Sequence, residues 1–334
     1  MTAALKTNTP RLLEAVEPPE RRGLARDEVR MLVTDRAQRT HTHARFLELP
    51  AFLRAGDLLL VNDSATIPSA VTATRENGAA IALHVATMID RRLWTVEPRG
   101  TVRAGEELRL PGGGCAVIIA PLDPERPRLW YAWFRLPLEM NAFLMQYGEP
   151  IRYGYVARHF PLSDYQTIFA NEPGSAEMPS AARPFAPRVV HALHERGVEI
   201  ACVTLHCGVA SFEAPERPGT ERYVVLPQAA AAVNRARRDG RRVIAVGTTA
   251  LRAIESATPR DEVIASSGWT DLVIEEQYRP KSADALLTGF HDAAATHQWI
   301  LRAFLNRELL ADAYREAAES GYYQHEFGDV HLIL

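Results

Sequence analysis

The chain has 334 residues, 47% hydrophobic and 24% charged, a globular balance with room for about two domains at ~150 residues each. That composition excludes a disordered, collagenous or disulfide-scaffold protein. A formal net charge of −3 excludes a polyanion binder by bulk charge, so any nucleic-acid contact rests on a local patch.

Of the 38 basic residues only Lys6 and Lys281 are lysine, which reads as genome-level bias and singles out Lys281 as the one internal lysine. Cys115, Cys202 and Cys207 are too few for a disulfide framework. Cys202 and Cys207 also lack the second pair a zinc site needs, so no metal is expected. Residues 1–10 are polar, without a signal-peptide core. No run of ~18 apolar residues could span a membrane. The expectation is a soluble cytoplasmic protein with no membrane partner.

In chain order, the first 25 or so residues read as loosely ordered. Residues 29–35 form a strand. Residues 58–61 form a buried one, entered through a turn at 54–57. Asn62, Asp63 and Ser64 follow it. Polar residues at the end of a buried strand either face a ligand or make an Asx turn or cap. From 69 to 137 the texture changes. Gly and Pro punctuate apolar or alternating segments at 79–89, 92–97, 107–110, 116–120 and 129–136. Five strands at this spacing suggest a small antiparallel barrel or sandwich, with Trp94, Trp130 and Trp133 in its core.

After Met140 helices alternate with strands. Helices are expected at 187–196, 228–239, 249–256 and 294–320. Strands are expected at 198–205, 242–246, 272–274 and 330–334. This alternation predicts helices covering a largely parallel sheet. The economical architecture is an α/β/α domain from residues 1–68 plus 149–334, with a small antiparallel β-barrel domain inserted at 69–148.

The sharpest motif spans 243–255. A buried strand ends at Gly247, and Thr248 and Thr249 open a helix. Unpaired N–H groups and the positive dipole end suit an anion there, and Gly247 permits close approach. Arg252 and Glu255 lie one turn apart and are placed to pair. The plain alternative is a threonine cap with a surface ion pair. A second cluster, 204–212, carries His206 and Gly208 off a strand end. His206 is either a proton shuttle or ligand contact, or a satisfied structural histidine. Three more clusters follow apolar segments, where function concentrates: Gly174 and Ser175 with 178–180, 268–271, and 286–291. The run 234–242 holds five arginines against one aspartate. It either contacts phosphates or ends a helix whose dipole suits cations. No P-loop, dinucleotide fingerprint, HExxH, GxSxG or paired CxxC occurs.

Taken in order, these segments resemble one family: S-adenosylmethionine:tRNA ribosyltransferase-isomerase, an enzyme of queuosine biosynthesis. The matching pieces are 57–63 with Ile67-Pro68, Tyr165-Gln-Thr with 172–175, and Gly197-Val-Glu-Ile with 204–206 and Gly208. Then come 246–249 with Arg252 and Glu255-Ser256, 268–271, Lys281 with Asp284, 286–291, and Gly328-Asp329. The match spans nearly the whole chain. The family's fold is similar: an α/β domain interrupted by a small β-barrel.

The resemblance implies a reaction. The family moves the ribosyl unit of S-adenosylmethionine onto the aminomethyl group of 7-aminomethyl-7-deazaguanine in the tRNA wobble position. The ribose rearranges to an epoxycyclopentane, giving epoxyqueuosine-tRNA, and adenine and methionine leave. A base must take the proton beside the sulfonium carbon, and an acid must serve the departing adenine; no metal is needed. The expected acid–base groups are His206, His291, Asp63, Asp329 and Glu221. Substrate contacts are expected from Asn62, Tyr165, Ser175, Gly208, Gly247, Thr248 and Thr249. Arg252, Glu255, Trp269, Asp271, Lys281, Thr288 and Phe290 complete that set. S-adenosylmethionine is the co-substrate, and the anticodon stem-loop of tRNA is the expected partner.

The sequence also departs from the family. Its Pro-Thr-Ala-Gly-Leu-His-Phe-Thr segment is Pro179-Ser-Ala-Ala-Arg-Pro184-Phe-Ala here, with Pro184 in the place of histidine. Its His-Ser-Glu is Gly219-Thr-Glu221. Its Leu-Pro-Lys-Ser-Thr is Asp292-Ala-Ala-Ala-Thr296, and the asparagine before Phe290 is Gly289. Two histidines and one lysine are thus missing from the presumed site. Two alternatives therefore stand beside the family reaction. One is a paralogue with the same donor and a non-tRNA acceptor. The other is an inactive relative that binds RNA or a nucleoside.

Overall fold

The structure, a computed structural model, describes residues 11–209, 218–292, 295 and 297–334. A nine-stranded mixed sheet organises it. In spatial order the strands are Ser266–Thr270, Glu221–Val225, Glu199–Leu205, Leu58–Asn62, Val243–Val246, Ala285–Gly289, Val330–Ile333, Arg30–Asp35 and Thr40–Arg45. Glu199–Leu205, Leu58–Asn62, Val243–Val246 and Ala285–Gly289 run parallel, and antiparallel pairings begin on both sides of them.

Helices cover both faces of these central strands, so they read as continuous apolar runs. Side chains alternate between the faces. Leu59, Val61, Ile244, Val246 and Leu287 pack with Phe46, Phe185, and Val189 and Leu193 of helix Pro187–Glu195. Leu58, Leu60 and Val243 pack under helices Pro227–Arg238 and Thr248–Ser256. Leu32, Leu286 and Ile333 pack under His297–Phe304 and Arg307–Glu319. The result is the expected α/β architecture in three layers, but the sheet is mixed and not largely parallel, with four antiparallel pairings beside four parallel ones.

Between Leu58–Asn62 and Glu199–Leu205 the chain closes a six-stranded antiparallel barrel. One strand more than expected is present, Ala70–Thr74. Its inward side chains are only Val71 and Ala73, too small a signal to mark a strand in sequence. Trp94 is in the barrel core and Trp130 packs against it. Trp133 is not in the core: it is 41% exposed, because Ala132 and Phe134 take the inward positions of that strand. Where the chain enters and leaves the barrel, Ala70 and Glu149 exchange two N–H···O bonds of 2.8 Å. Gly148 sits against the same junction, and a Cβ there would lie 2.0 Å from the Pro68 carbonyl oxygen.

Other elements differ from expectation. Residues 11–25 are built into the fold: Leu13–Glu14 pairs with Tyr323–Gln324 and Ala15 is fully buried. The short strand expected at 272–274 lies instead at Ser266–Thr270, a mostly polar edge strand with no apolar run. The same lack of pattern hides Thr40–Arg45 at the other edge. The long helix expected from 294 is two helices. Asn306 interrupts it, its side chain accepting from Leu309 N at 2.9 Å, an N-cap in mid-sequence. Residues 293, 294 and 296 lie outside the described residues. Among those described, no helix is long and apolar enough to cross a membrane.

The barrel junction has a direct test. Replacing Gly148 with Ala forces the Pro68 carbonyl away and should lower the urea midpoint, at a cost of roughly 1–3 kcal/mol. An unchanged midpoint would show that the junction is slack.

Candidate active site

The carboxyl ends of the parallel strands open into a cleft of about 850 Å³, where open α/β sheets seat ligands. Residues at the ends of those strands or just after them line it: Gly208, Gly247, Thr248, Thr249, Thr288 and His291. The barrel contributes Thr87, Thr95, Arg126, Arg128 and Tyr131. Tyr165, Glu221, Arg252 and Trp269 complete the predicted residues found there. Tyr165 is buried, whereas Trp269 is 45% exposed.

Gly247 makes the turn from strand to helix at φ +89°, a conformation that favours glycine. A Cβ would also press within 3.3 Å of Ala181 Cβ. No side chain caps the helix Thr248–Ser256. The threonine cap is therefore absent, and the first-turn N–H groups at the cleft remain available to an anion.

Arg252 is 4% exposed and its guanidinium is fully engaged. Nε donates to Leu272 O at 3.0 Å, Nη2 to Gly219 O at 3.2 Å, and Nη1 to Glu221 Oε2. Glu221 Oε1 accepts the Gly208 N–H at 2.9 Å. Burial pushes the Glu221 carboxyl above the usual range, against the pull of Arg252 and the Gly208 N–H. The expected Arg252–Glu255 pair does not form. Glu255 instead accepts from Tyr278 OH at 2.7 Å, Lys281 N at 2.9 Å and Ser282 N at 2.8 Å. It tethers the loop that leads into Ala285–Gly289.

His291 does not stand alone. His297 stacks on it, ring centroids 3.9 Å apart and planes at 11°, and lines the cleft too. Burial pushes His291 well below the ordinary histidine range and His297 down to about 4. His325 also faces the cleft, beside Tyr153, Tyr155 and Glu326. Sequence reading missed these residues. His297 begins a helix inside a segment read as continuous, and Tyr153, Tyr155 and His325 sit in loops with no periodic signal. The spacing Tyr153-Gly-Tyr155 is the one cue that was available.

The other predicted residues are not among those that line the cleft. His206 Nδ1 bonds Ser64 Oγ at 2.8 Å, and Gly174 lies against its ring, where a Cβ would come within 2.6 Å. Burial lowers its proton affinity. Ser175 Oγ meets Ser64 Oγ at 2.6 Å and accepts Cys207 N at 2.9 Å. Asn62 Oδ1 accepts Ser64 N at 3.1 Å and Leu205 N at 2.9 Å, an Asx turn that also joins two strands. Its Nδ2 reaches Thr249 Oγ1 at 3.1 Å. Asp63 accepts from Thr204 Oγ1 at 2.7 Å, and burial raises its carboxyl. Asp329 accepts from Arg30 N at 2.7 Å and Tyr323 N at 2.8 Å. Phe290 packs among Tyr314, Tyr322 and His331. Asp271 and Lys281 are exposed. Residues 210–212 of the His206 cluster lie outside the described residues.

The arginine run lies at the opposite, amino end of the strands. Arg235 and Arg241 pair with Glu199 at 2.7 and 2.8 Å, and Arg242 Nε bonds Asp57 at 3.0 Å. These cations are spent on carboxylates of the fold. Among the described residues, no cluster of His, Cys, Asp or Glu stands ready for a metal.

The buried histidines fix a pH dependence. Burial lowers His297 to about 4 and His331 to about 3, from 6.5. The unfolded chain therefore binds their protons first. The stability they hold is present above pH 6.5 and is lost as pH falls through the folded values. Thermal melts should show Tm falling on acidification below pH 6.5, with a shallower slope for His297→Gln. Identical slopes in the two proteins would contradict this assignment.

Known proteins match both the sequence and the fold. The sequence profile of the queuosine biosynthesis protein family matches residues 3–333. The S-adenosylmethionine:tRNA ribosyltransferase-isomerase of Moorella thermoacetica is 37% identical over 323 residues, covering 92% of this chain and 94% of that protein. The protein of the same name from Thermus thermophilus is 35% identical over 338 residues, covering 96% and 95%. The crystal structure of S-adenosylmethionine tRNA ribosyltransferase from Thermotoga maritima aligns with a TM-score of 0.56 at 27% identity, over 98% of this chain and 100% of that one. With family profile, full-length relatives and fold in agreement, the chain belongs to the queuosine biosynthesis protein family.

Proposed function

We propose that this chain is an S-adenosylmethionine-dependent tRNA ribosyltransferase-isomerase. It transfers the ribosyl unit of S-adenosylmethionine to the aminomethyl group of 7-aminomethyl-7-deazaguanine in tRNA. The ribose is isomerised to the epoxycyclopentane, and adenine and methionine are released. One observation carries this reading: residues from separate motifs converge on a single cleft. Gly208, Glu221, Gly247, Thr248, Arg252, Thr288 and His291 are far apart in sequence and together in space.

The geometry suggests roles. The uncapped start of Thr248–Ser256 suits the methionine carboxylate. His291, neutral because of burial and the neighbouring His297, can accept the proton beside the sulfonium carbon. Arg252 and Glu221 hold Gly208 and Gly219 in place beneath the substrate. In the same reading, residues 69–148 act as an inserted barrel domain against the α/β domain of 1–68 and 149–334, and the enzyme works in the cytoplasm, where its tRNA is.

The departures from the family bear differently on this site. Pro184 is buried and does not line the cleft. Gly219 does line it, so the histidine missing there is a loss to the cleft. His297 and His325 bring two imidazoles to the same space, which favours an active enzyme over an inactive relative.

Adenine release by chromatography tests the proposal. With S-adenosylmethionine and tRNA carrying the deazaguanine base, adenine should appear only when both are present. His291→Ala should slow release by roughly 10²-fold or more. Release without that tRNA would move the assignment to another acceptor. Binding of the donor with no release under any condition would mark an inactive relative.

A further inference from the structure

Three rings line one side of the cleft as a column. Tyr153 and Tyr155 lie with planes at 17° and centroids 6.0 Å apart. Tyr155 and His325 lie at 13° and 4.2 Å. All three reach the cleft. The fold fixes each ring. The Tyr153 hydroxyl donates to Glu177 and the Tyr155 hydroxyl to Glu326, and both carboxylates also line the cleft. Burial holds the Tyr155 phenol protonated, so it stays a donor.

The backbone at His325 is held with equal care. Its φ is +73°, uncommon for a residue with a side chain. Its N–H donates to Phe290 O at 3.0 Å, and its own carbonyl accepts Gly328 N at 3.0 Å. The first bond ties the turn to the end of strand Ala285–Gly289. Such strain persists where the surroundings over-determine it, and it concentrates at ligand sites.

Three near-parallel rings in a cleft make a surface that another flat ring extends. Stacking on aromatic side chains is tolerant of base identity, because every base presents a π-face. Carboxylates lining the same cleft suit a heterocycle whose edge offers N–H donors. We propose that the Tyr153–Tyr155–His325 column is the seat of a purine-type heterocycle, with Glu177 and Glu326 facing its N–H edge. The proposal rests on the ribosyl-transfer reading, which brings two such rings to the cleft: the adenine of the donor and the deazaguanine of the acceptor.

Titration calorimetry on the full chain tests it with three probes: S-adenosylhomocysteine, free 7-aminomethyl-7-deazaguanine, and methionine. The informative variant is His325→Gly, which removes a ring at a positive φ that glycine adopts readily. It should weaken one heterocyclic probe by ~10-fold or more and leave methionine within twofold. Loss confined to S-adenosylhomocysteine assigns the seat to adenine, and loss confined to the free base assigns it to the acceptor. Tyr155→Phe keeps the ring and should bind near the wild-type level, whereas Tyr155→Leu should follow His325→Gly. Three results overturn the proposal: wild-type affinity for both heterocycles in His325→Gly and Tyr155→Leu, equal loss of methionine, or no heterocycle bound by the wild type. The underlying reading fails separately, by absence of adenine release from the wild-type enzyme.

Discussion

Arg252 is the group on which the cleft depends. A buried guanidinium costs several kcal/mol unless its donors are met, and here the partners come from two separated stretches of the chain, 219–221 and 270–272. Glu221 is the first residue of its strand, Gly219 precedes it, and Leu272 follows the neighbouring edge strand. Glu221 in turn holds the N–H of Gly208, at the end of a central strand. One side chain on the helix Thr248–Ser256 therefore fixes three loops around the cleft. Removing either charge would leave the other buried and unpaired, and those loops would lose their common anchor.

The rest of the site follows from parallel topology. Four parallel strands end on the same side, so whatever follows them in sequence meets there. This is why Gly208, Gly247, Thr248 and His291, from separate motifs, share one cleft. The opposite edge shows the complement. At the amino ends Arg235, Arg241 and Arg242 of the arginine run are matched by Glu199, Asp239 and Asp57, and serve the fold.

What the sequence revealed has a physical pattern. Most central strands and their glycine-ended helices were visible because burial on two faces writes a continuous apolar run; Ala285–Gly289 was not, because its polar end at Thr288 and Gly289 reads as a loop. Edge strands such as Thr40–Arg45 and Ser266–Thr270 were not, because one or both faces meet water and carry polar residues. The barrel was visible through its turns, and its weakest strand was missed. Among site residues, those tied to glycines and strand ends could be found: Gly208, Gly247, Thr248 and His291. His297, Tyr155 and His325 could not, because only tertiary packing makes them neighbours. Motif membership also did not separate ligand-facing groups from structural ones. His206 and Asp329 carry the resemblance as strongly as His291, yet His206 Nδ1 bonds Ser64 and the Asp329 carboxylate accepts from Arg30 and Tyr323.

The central claim is that the donor sits at the uncapped helix start with its chemistry beside His291. A crystal structure of the chain with S-adenosylhomocysteine tests it most directly. The amino-acid carboxylate should lie within hydrogen-bond distance of the N–H groups of Thr248 and Thr249, with the sulfur toward His291. A carboxylate bound elsewhere, with that helix start left to solvent, would contradict it.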